Sequence, residues 1–354
     1  MKKFIIVIML LLLIPLNVKS ASLSGECIIV MEQNSNRIMY AKNIHKVRSV
    51  ASISKVMTAI LAIESGKLNN KVIVGEEILK AYGSAVYIKV GESITLEELV
   101  YGLMLRSGND AALAIAKYVG GSVEKFITMM NTKANELGMD NTTFNNPSGL
   151  DEEKGNYSTA YDMAILTSYA MKNETYQRIT GTKKKVVTTD FNTYAWTNKN
   201  KMLSLYKYTT GGKTGFTEIA KRTLISTATK DNLDLVIVTL NDGNDFYDHK
   251  TLYEETFSEY KEYRILKTGL FEVYNDKLYE NYHLYLKDEF YYPLNEQEKD
   301  SIVLKIILNN NPKVGEVGKV EVMLGDKEIG STKLYAKEKE KTSFNFIDWI
   351  KNLW

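Results

Sequence analysis

The sequence predicts a mixed α/β chain of the α+β kind: an antiparallel sheet with a helical lobe inserted in it, then a small β-rich module. Three observations carry this expectation. Strand-like runs stand at both ends of residues 21–266, whereas about Gly66 to Asn200 carries mainly helical patterning with short polar connections. Near Leu266–Thr268 the pattern changes to short strands with no cluster of titratable side chains. A chain of 354 residues is also long for one domain and natural for two, and its 44% hydrophobic content suffices for a sizeable core. The expected organisation is a leader at 1–20, a main domain at 21–266, a β domain at 267–336 and a terminal segment at 337–354.

The elements follow in order. Cys27 to Met31 is an apolar run, Gln33-Asn34-Ser35-Asn36 has turn chemistry, and Arg37 to Ala41 returns as a second strand. Val56, Met57, Ile60, Leu61 and Ile63 then recur at helical spacing behind Ser52-Ile53-Ser54-Lys55. Thr95-Leu96-Glu97-Glu98 is a capping-box pattern that opens a helix from Glu98 to Leu105, which runs into Arg106. Ser107-Gly108-Asn109 separates it from a helix over Ala111 to Val119, so rigid neighbours place that loop. Asn146 to Asp151 is a loop by its Pro and Gly, and Ser158 to Asp162 starts a further helix. Gly211-Gly212 breaks the helical pattern ahead of Lys213-Thr214-Gly215-Phe216-Thr217. Arg222 to Thr229 and Leu233 to Leu240 form a hairpin, and Phe246 to Leu266 reads as a closing helix. In the second part Ser301 to Leu308 and Gly318 to Leu324 are strands, with turns at Gly325-Asp326 and Gly330-Ser331.

The two ends differ from the body. Lys2-Lys3, an apolar run from Phe4 to Leu16 and Val18-Lys19-Ser20 predict a secretory leader cleaved before Ala21. Lys337 to Lys341 reads as a charged spacer. Phe346, Ile347, Ile350, Leu353 and Trp354 share one face of a short amphipathic helix suited to a membrane surface. Without the three lysines of the leader the formal charge of +2 falls to −1, which argues against nucleic acid as a partner. Cys27 is the only cysteine and reads as a small buried strand residue, so no internal disulfide and no cysteine-rich metal site is expected. His45, His249 and His283 are scattered, leaving little for a histidine-based triad or a zinc site.

That scarcity turns attention to Ser52 and Lys55. Three residues apart on a helix they share a face, and the helix start favours developing negative charge. The pair suits a nucleophile with an amine as its base. Alone the pattern says little, for it recurs at Ser122/Lys125, Ser204/Lys207 and Ser258/Lys261. Only the first copy opens a strongly apolar helix, which pins its first residues firmly. It also precedes Ser107-Gly108-Asn109 and Lys213-Thr214-Gly215 in order.

This ordered triplet is the type found in penicillin-binding proteins and class A β-lactamases. Most of the chain after the leader resembles the low-molecular-mass penicillin-binding proteins that are serine D-alanyl-D-alanine carboxypeptidases. The stretches that carry the resemblance include Ala51 to Ala59, Val90 to Thr95, Tyr101 to Ala112, Asn146 to Asp151, Gly212 to Thr217 and Val317 to Val322. It implies the penicillin-binding/β-lactamase-like fold for the catalytic domain. It implies that Ser52 attacks the carbonyl between the last two D-alanines of a peptidoglycan stem peptide, with Lys55 as general base. Ser107 would relay the proton to the leaving D-alanine, and Asn109 would hold the substrate backbone. Lys213 and Thr214 would hold the terminal carboxylate, and Gly215 would let the substrate approach the strand. The N–H groups of Ser52 and Phe216 would form an oxyanion hole, each donor worth roughly 10²–10³ in rate. β-Lactams would acylate Ser52 as inhibitors, no cofactor or metal is implied, and the terminal helix would hold the enzyme on the outer face of the cytoplasmic membrane. Two departures stand out: the middle motif has Gly between Ser and Asn, and Lys199 stands where relatives often carry arginine. The rival readings are a class A β-lactamase and a non-catalytic peptidoglycan-binding protein on the same scaffold.

Overall fold

A computed structural model describes residues 23–151, 154–273 and 277–339; the expected leader and the terminal amphipathic segment lie outside the described residues. Strands β1 (Cys27–Glu32) and β2 (Ile38–Lys42) form the first hairpin. A single 3-10 turn over Ala51–Ser54 feeds helix α1 (Lys55–Glu64). Then come α2 (Leu96–Arg106), α3 (Asn109–Gly120), α4 (Val123–Glu136) and α5 (Ala160–Met171). Strands β3 (Thr209–Thr217), β4 (Lys221–Lys230) and β5 (Leu233–Leu240) follow, and α6 (Asp245–Glu259) covers them. The five strands make one antiparallel sheet in the order β2-β1-β5-β4-β3.

The central strands β1 and β5 are buried on both faces, which explains why β1 runs apolar from Cys27 to Met31 rather than alternating. Ile29, Met31, Val236 and Val238 face the helical lobe, where α1, α2, α3 and α5 contribute most of the core. Ile28, Val30, Leu235 and Ile237 face the other way, onto Leu252, Tyr253 and Phe257 of α6. The β4–β5 turn places Asp231 and Asn232 both at positive φ, the hairpin geometry whose twist matches its strands. The capping box at Thr95 and Glu98 is formed, and Cys27 is fully buried in β1.

Some expectations are corrected. The stretch between Gly66 and Asn200, expected to be mainly helical, also holds a hairpin: Lys184–Thr188 and Thr193–Thr197 pair, with Tyr194 and Trp196 buried on its inner side. Its period-two pattern lasts only five residues per strand, too short to stand out between helices. The closing helix stops at Glu259, and β6 (Lys261–Leu266) follows at once. Past β7 (Tyr282–Leu286), β8 (Phe290–Leu294) pairs with β6, a long-range partner that no local pattern announces. Beyond β9 (Ile302–Leu308) and β10 (Gly315–Leu324), Gly330-Ser331 is not a turn, and the charged run does not begin as a spacer. Gly330, Ser331, Lys337 and Glu338 all lie in β11 (Lys327–Glu338), with Gly330 beside a register shift against β10.

The second part has its own core of Leu266, Leu284, Leu286, Val317, Val320, Val322 and Leu334. Arg37, in the β1–β2 connection, joins it to the main sheet. Its guanidinium lies between the rings of Tyr260 and Tyr292, 5.2 Å from each, donates to the Pro293 carbonyl at 2.5 Å and pairs with Glu298. Little of this side chain meets water, so its contacts are weakly screened. Arg37→Ala is expected to cost about 1–3 kcal/mol at this joint and to split calorimetric unfolding into two transitions. A single transition at the wild-type temperature would contradict this role.

Candidate active site

The turn that carries Ser52, the candidate nucleophile, is held from several sides. Ala51, at φ 49°, is in the left-handed region, which costs a non-glycine residue on the order of 1–2 kcal/mol and needs surrounding contacts to persist. Those contacts are present: Thr223 Oγ1 of β4 donates to Val50 O at 3.1 Å, and Val50 N donates to Asn156 O at 3.1 Å. Behind the turn Val56, Met57, Ala59 and Ile60 of α1 are buried in the main core. In a 3-10 turn residues i and i+3 eclipse, so Ser52 and Lys55 are brought one above the other. Lys55 Nζ lies 3.0 Å from Ser52 Oγ.

Lys55 is fully buried and has two further partners, Asn109 Oδ1 at 2.7 Å and the Ser148 carbonyl. Both are obligate acceptors. A neutral amine has two N–H bonds and one lone pair, so satisfying both carbonyls leaves the lone pair for the Ser52 hydroxyl. The electrostatics favour that neutral form. Burial pushes the Lys55 amine well below its ordinary pKa, the positive charges of Lys213 and then Lys199 push it further, and Asp110 opposes them.

Ser107 ends α2 in the left-handed conformation and Gly108 caps α3, so Asn109 is the first residue of α3. Asn109 Nδ2 donates to Tyr82 O at 2.6 Å, which fixes the amide with its oxygen toward Lys55. Lys213 lies on β3, the edge of the sheet, and donates from Nζ to Ser107 Oγ at 3.0 Å and to Thr214 O at 2.6 Å. Burial, then Lys199, lowers its pKa to about 7. Ser52, Lys55, Ser107, Asn109 and Lys213 therefore form one connected constellation.

In front of it is a cleft of about 530 Å³, with Ser52, Ser107, Thr214, Gly215, Phe216 and Lys199 in its walls. Lys199 Nζ donates to Ser84 Oγ at 3.0 Å, and burial, then Arg106, lowers its pKa. Lys199 makes one end of the cleft suited to an anion, and the buried Lys213 lies behind the wall there, bonded to Ser107 and Thr214. A β-carbon on Gly215 would sit 3.0 Å from Ser52 N and 2.4 Å from Thr223 Oγ1, so glycine is needed for β3 to pack against the nucleophile turn. Its role is this close approach of two backbones, which also leaves the space before the Ser52 N–H open. Phe216 projects into solvent at the rim.

Several contributors have no motif. The Ser148 carbonyl is a main-chain group, and Asp110 acts through its neighbours, accepting from the amides of Val86 and Tyr87 to hold the 80s loop against α3. Asp151 accepts from Ser49 at 2.7 Å and from Thr217, tying the nucleophile's approach strand to the end of β3. The polar, Gly- and Pro-containing loop Asn146 to Asp151 was the available signal. Among the described residues no group of three or more His, Cys, Asp or Glu could hold a metal. His249 is enclosed between Ser226 and Thr239, away from the cleft.

Comparison with known proteins gives a consistent picture. The family profile described as D-alanyl-D-alanine carboxypeptidase matches residues 15–244, and that of the penicillin-binding protein 5 C-terminal domain matches residues 270–342. The D-alanyl-D-alanine carboxypeptidase DacF of Bacillus subtilis is 37% identical over 216 residues, 59% of this chain, and that match spans only 55% of the relative's length. Among solved structures, the D-alanyl-D-alanine carboxypeptidase DacD of Francisella tularensis superposes with a TM-score of 0.70 at 25% identity, covering 90% of this chain and 94% of that one. Penicillin binding protein 5 of Haemophilus influenzae shares the fold at a TM-score of 0.76 and 24% identity, over 91% and 99% of the two chains.

The buried amines cost stability. Lys213 has a folded pKa of about 7 against an ordinary 10.5, so between these values the unfolded chain binds more protons and stability climbs with pH. Below about pH 7 the cost is fully present. Lys213→Met removes it but leaves Ser107 short of a donor, so at pH 7 a net gain of about 1–3 kcal/mol is expected in chemical denaturation. The gain should shrink toward pH 10; a variant less stable than wild type at pH 7 would contradict it.

Proposed function

The chain belongs to the D-alanyl-D-alanine carboxypeptidase family, and from that premise we propose that it releases the terminal D-alanine from peptidoglycan stem peptides through an acyl-enzyme on Ser52. The observation that carries the proposal is the Lys55 amine, buried, short of charge and 3.0 Å from the Ser52 hydroxyl. Ser52 Oγ attacks the carbonyl of the penultimate residue as its proton passes to Lys55 Nζ. The Ser52 N–H faces the space beside Gly215, and with the N–H of Phe216 it is assigned to the developing oxyanion. Ser107, bonded to Lys213 and within the same constellation, relays that proton from Lys55 to the leaving amine, which returns Lys55 to its neutral form. Water then attacks the ester, Lys55 takes its proton and gives it to the departing Ser52 Oγ, and the shortened peptide is released.

The terminal carboxylate of the substrate belongs at the cationic end of the cleft, on the Thr214 hydroxyl and Lys199, with Lys213 behind them supplying further positive charge. Lys199 is a point charge where a guanidinium would grip two oxygens, so its share is orientation-tolerant. Asn109, already turned by Tyr82 and Lys55, has one amide hydrogen left for the substrate backbone. β-Lactams, which offer an acyl group beside a carboxylate, fit the same cleft and should trap Ser52 as a slowly hydrolysed ester. We place the enzyme outside the cytoplasm, on the outer membrane face of the cytoplasmic membrane, on the leader-like residues 1–20 and the aromatic residues 344–354.

A labelled penicillin is expected to modify wild-type protein covalently and to leave Ser52→Ala unlabelled, and D-alanine should appear from a diacetylated Lys-D-Ala-D-Ala peptide. No D-alanine, or prompt turnover of the penicillin, would overturn the assignment. The pH profile of kcat/KM for the peptide should rise as Lys55 loses its proton and fall above about pH 7 as Lys213 loses the charge that binds carboxylate. A profile still rising at pH 9 would contradict the role of Lys213. Removal of residues 344–354 should shift the protein from the membrane to the soluble fraction, and unchanged fractionation would count against the anchor.

A further inference from the structure

We propose that Asn156 is a positioning residue for the reaction: it holds the Ser148 carbonyl against Lys55 and so aims the amine's lone pair at Ser52. The inference rests on the assignment of Ser52 as nucleophile and Lys55 as base. Asn156 does not touch the cleft, is completely buried, and lies far from all three motifs in sequence.

Its bonding is saturated. Nδ2 donates to Ser54 Oγ at 3.0 Å and to Asn146 O at 2.9 Å, while Oδ1 accepts from the amides of Asn145 at 2.7 Å and Asn146 at 3.1 Å. Its main-chain carbonyl accepts from Val50 N. Val50 and Ser54 stand two residues before and two after Ser52, so one asparagine grips the nucleophile turn on both sides. Through Asn145 and Asn146 it grips the loop that runs on to Ser148.

That loop is rigid from there to the carbonyl. Asn146 Oδ1 accepts from the amides of Ser148 at 3.1 Å and Gly149 at 2.6 Å, and Thr58 Oγ1 of α1 donates to Pro147 O at 2.7 Å. Gly149 lies so close that a β-carbon there would meet Ala51 O at 2.0 Å. The Ser148 carbonyl ends this chain of contacts on Lys55 Nζ, with Ser52 Oγ 3.4 Å away.

The geometry gives the position of this carbonyl a chemical consequence. If it withdraws, one N–H of the neutral amine has no acceptor but Ser52 Oγ, and the lone pair turns away from the proton it must take. The ammonium form loses more than the neutral form, since hydrogen bonds to a charged donor are the stronger ones. The amine's pKa therefore falls further even as its aim worsens. A residue serving only the fold would produce neither effect in molecules that remain folded.

The test uses the full chain and a penicillin as probe, with burst titration counting active sites and the acylation rate constant measured across pH. In Asn156→Ala the rate constant per titrated site should fall by roughly tenfold to a hundredfold, the cost of a misplaced catalytic group. Its acidic limb should also move to lower pH. Ser54→Ala, which removes one acceptor of the Asn156 amide and leaves the core filled, should give a smaller change in the same two directions and serves if Asn156→Ala does not fold. A rate constant or an acidic limb unchanged from wild type in the folded variants would overturn the proposal. Wild-type protein that penicillin does not acylate would instead overturn the underlying assignment of Ser52.

Discussion

The structure depends on burying two amines in one site without an acid to neutralise them. The hydrogen-bond partners of Lys55 and Lys213 are all neutral oxygens: hydroxyls, one amide and two main-chain carbonyls. An ion pair would have been cheaper to bury, but it would have kept Lys55 protonated and useless as a base. With no ion-pair partner the Lys55 amine is held well below its ordinary pKa, at a cost the rest of the core must offset.

The scaffold meets that demand by making the surroundings of the amines hard to move. Lys55 is the first residue of a helix buried on every side, and Lys213 lies in a strand that a buried neighbour pairs along its length. Ala51 and Ser107 sit at positive φ on opposite walls, a strain that persists only where packing over-determines the backbone. The loop from Asn145 to Asp151 closes the third side, with the Asn145 and Asn146 side chains spent on main-chain amides and carbonyls. Each device holds an acceptor or a backbone rather than a charge.

What was legible in the sequence follows from this. The side chains to which the reaction is assigned are of distinctive type, and the structure brings Ser52, Lys55, Ser107, Asn109, Lys213 and Thr214 together in one place. The antiparallel sheet was legible because β1 and β5 are apolar runs and β4 is rich in β-branched residues. The hairpin at Lys184–Thr197 was not, because a five-residue alternation is too brief a signal, and β6 was not, because its partner β8 lies some 30 residues on. Gly215 was attributed to substrate access, whereas its own neighbour, the nucleophile turn, already excludes a side chain. The Ser148 carbonyl could not be read at all. Every residue has a carbonyl, and only the folded loop decides which one is aimed.

The absence of histidine from the site ties activity to packing more tightly than usual. A histidine base has its working pKa already in water, so a loosened site still holds a competent base. Lys55 has no such reserve, since its low pKa is made by exclusion of water and by two neighbouring cations. Any opening that hydrates the amine returns it toward its ordinary value of 10.5 and protonates it, even if every distance is restored on average. Residues remote from the chemistry that keep water out therefore act on the base itself. The buried apolar side chains Val56, Met57 and Ile60 of the same helix bear on the proposed mechanism as well as on the fold.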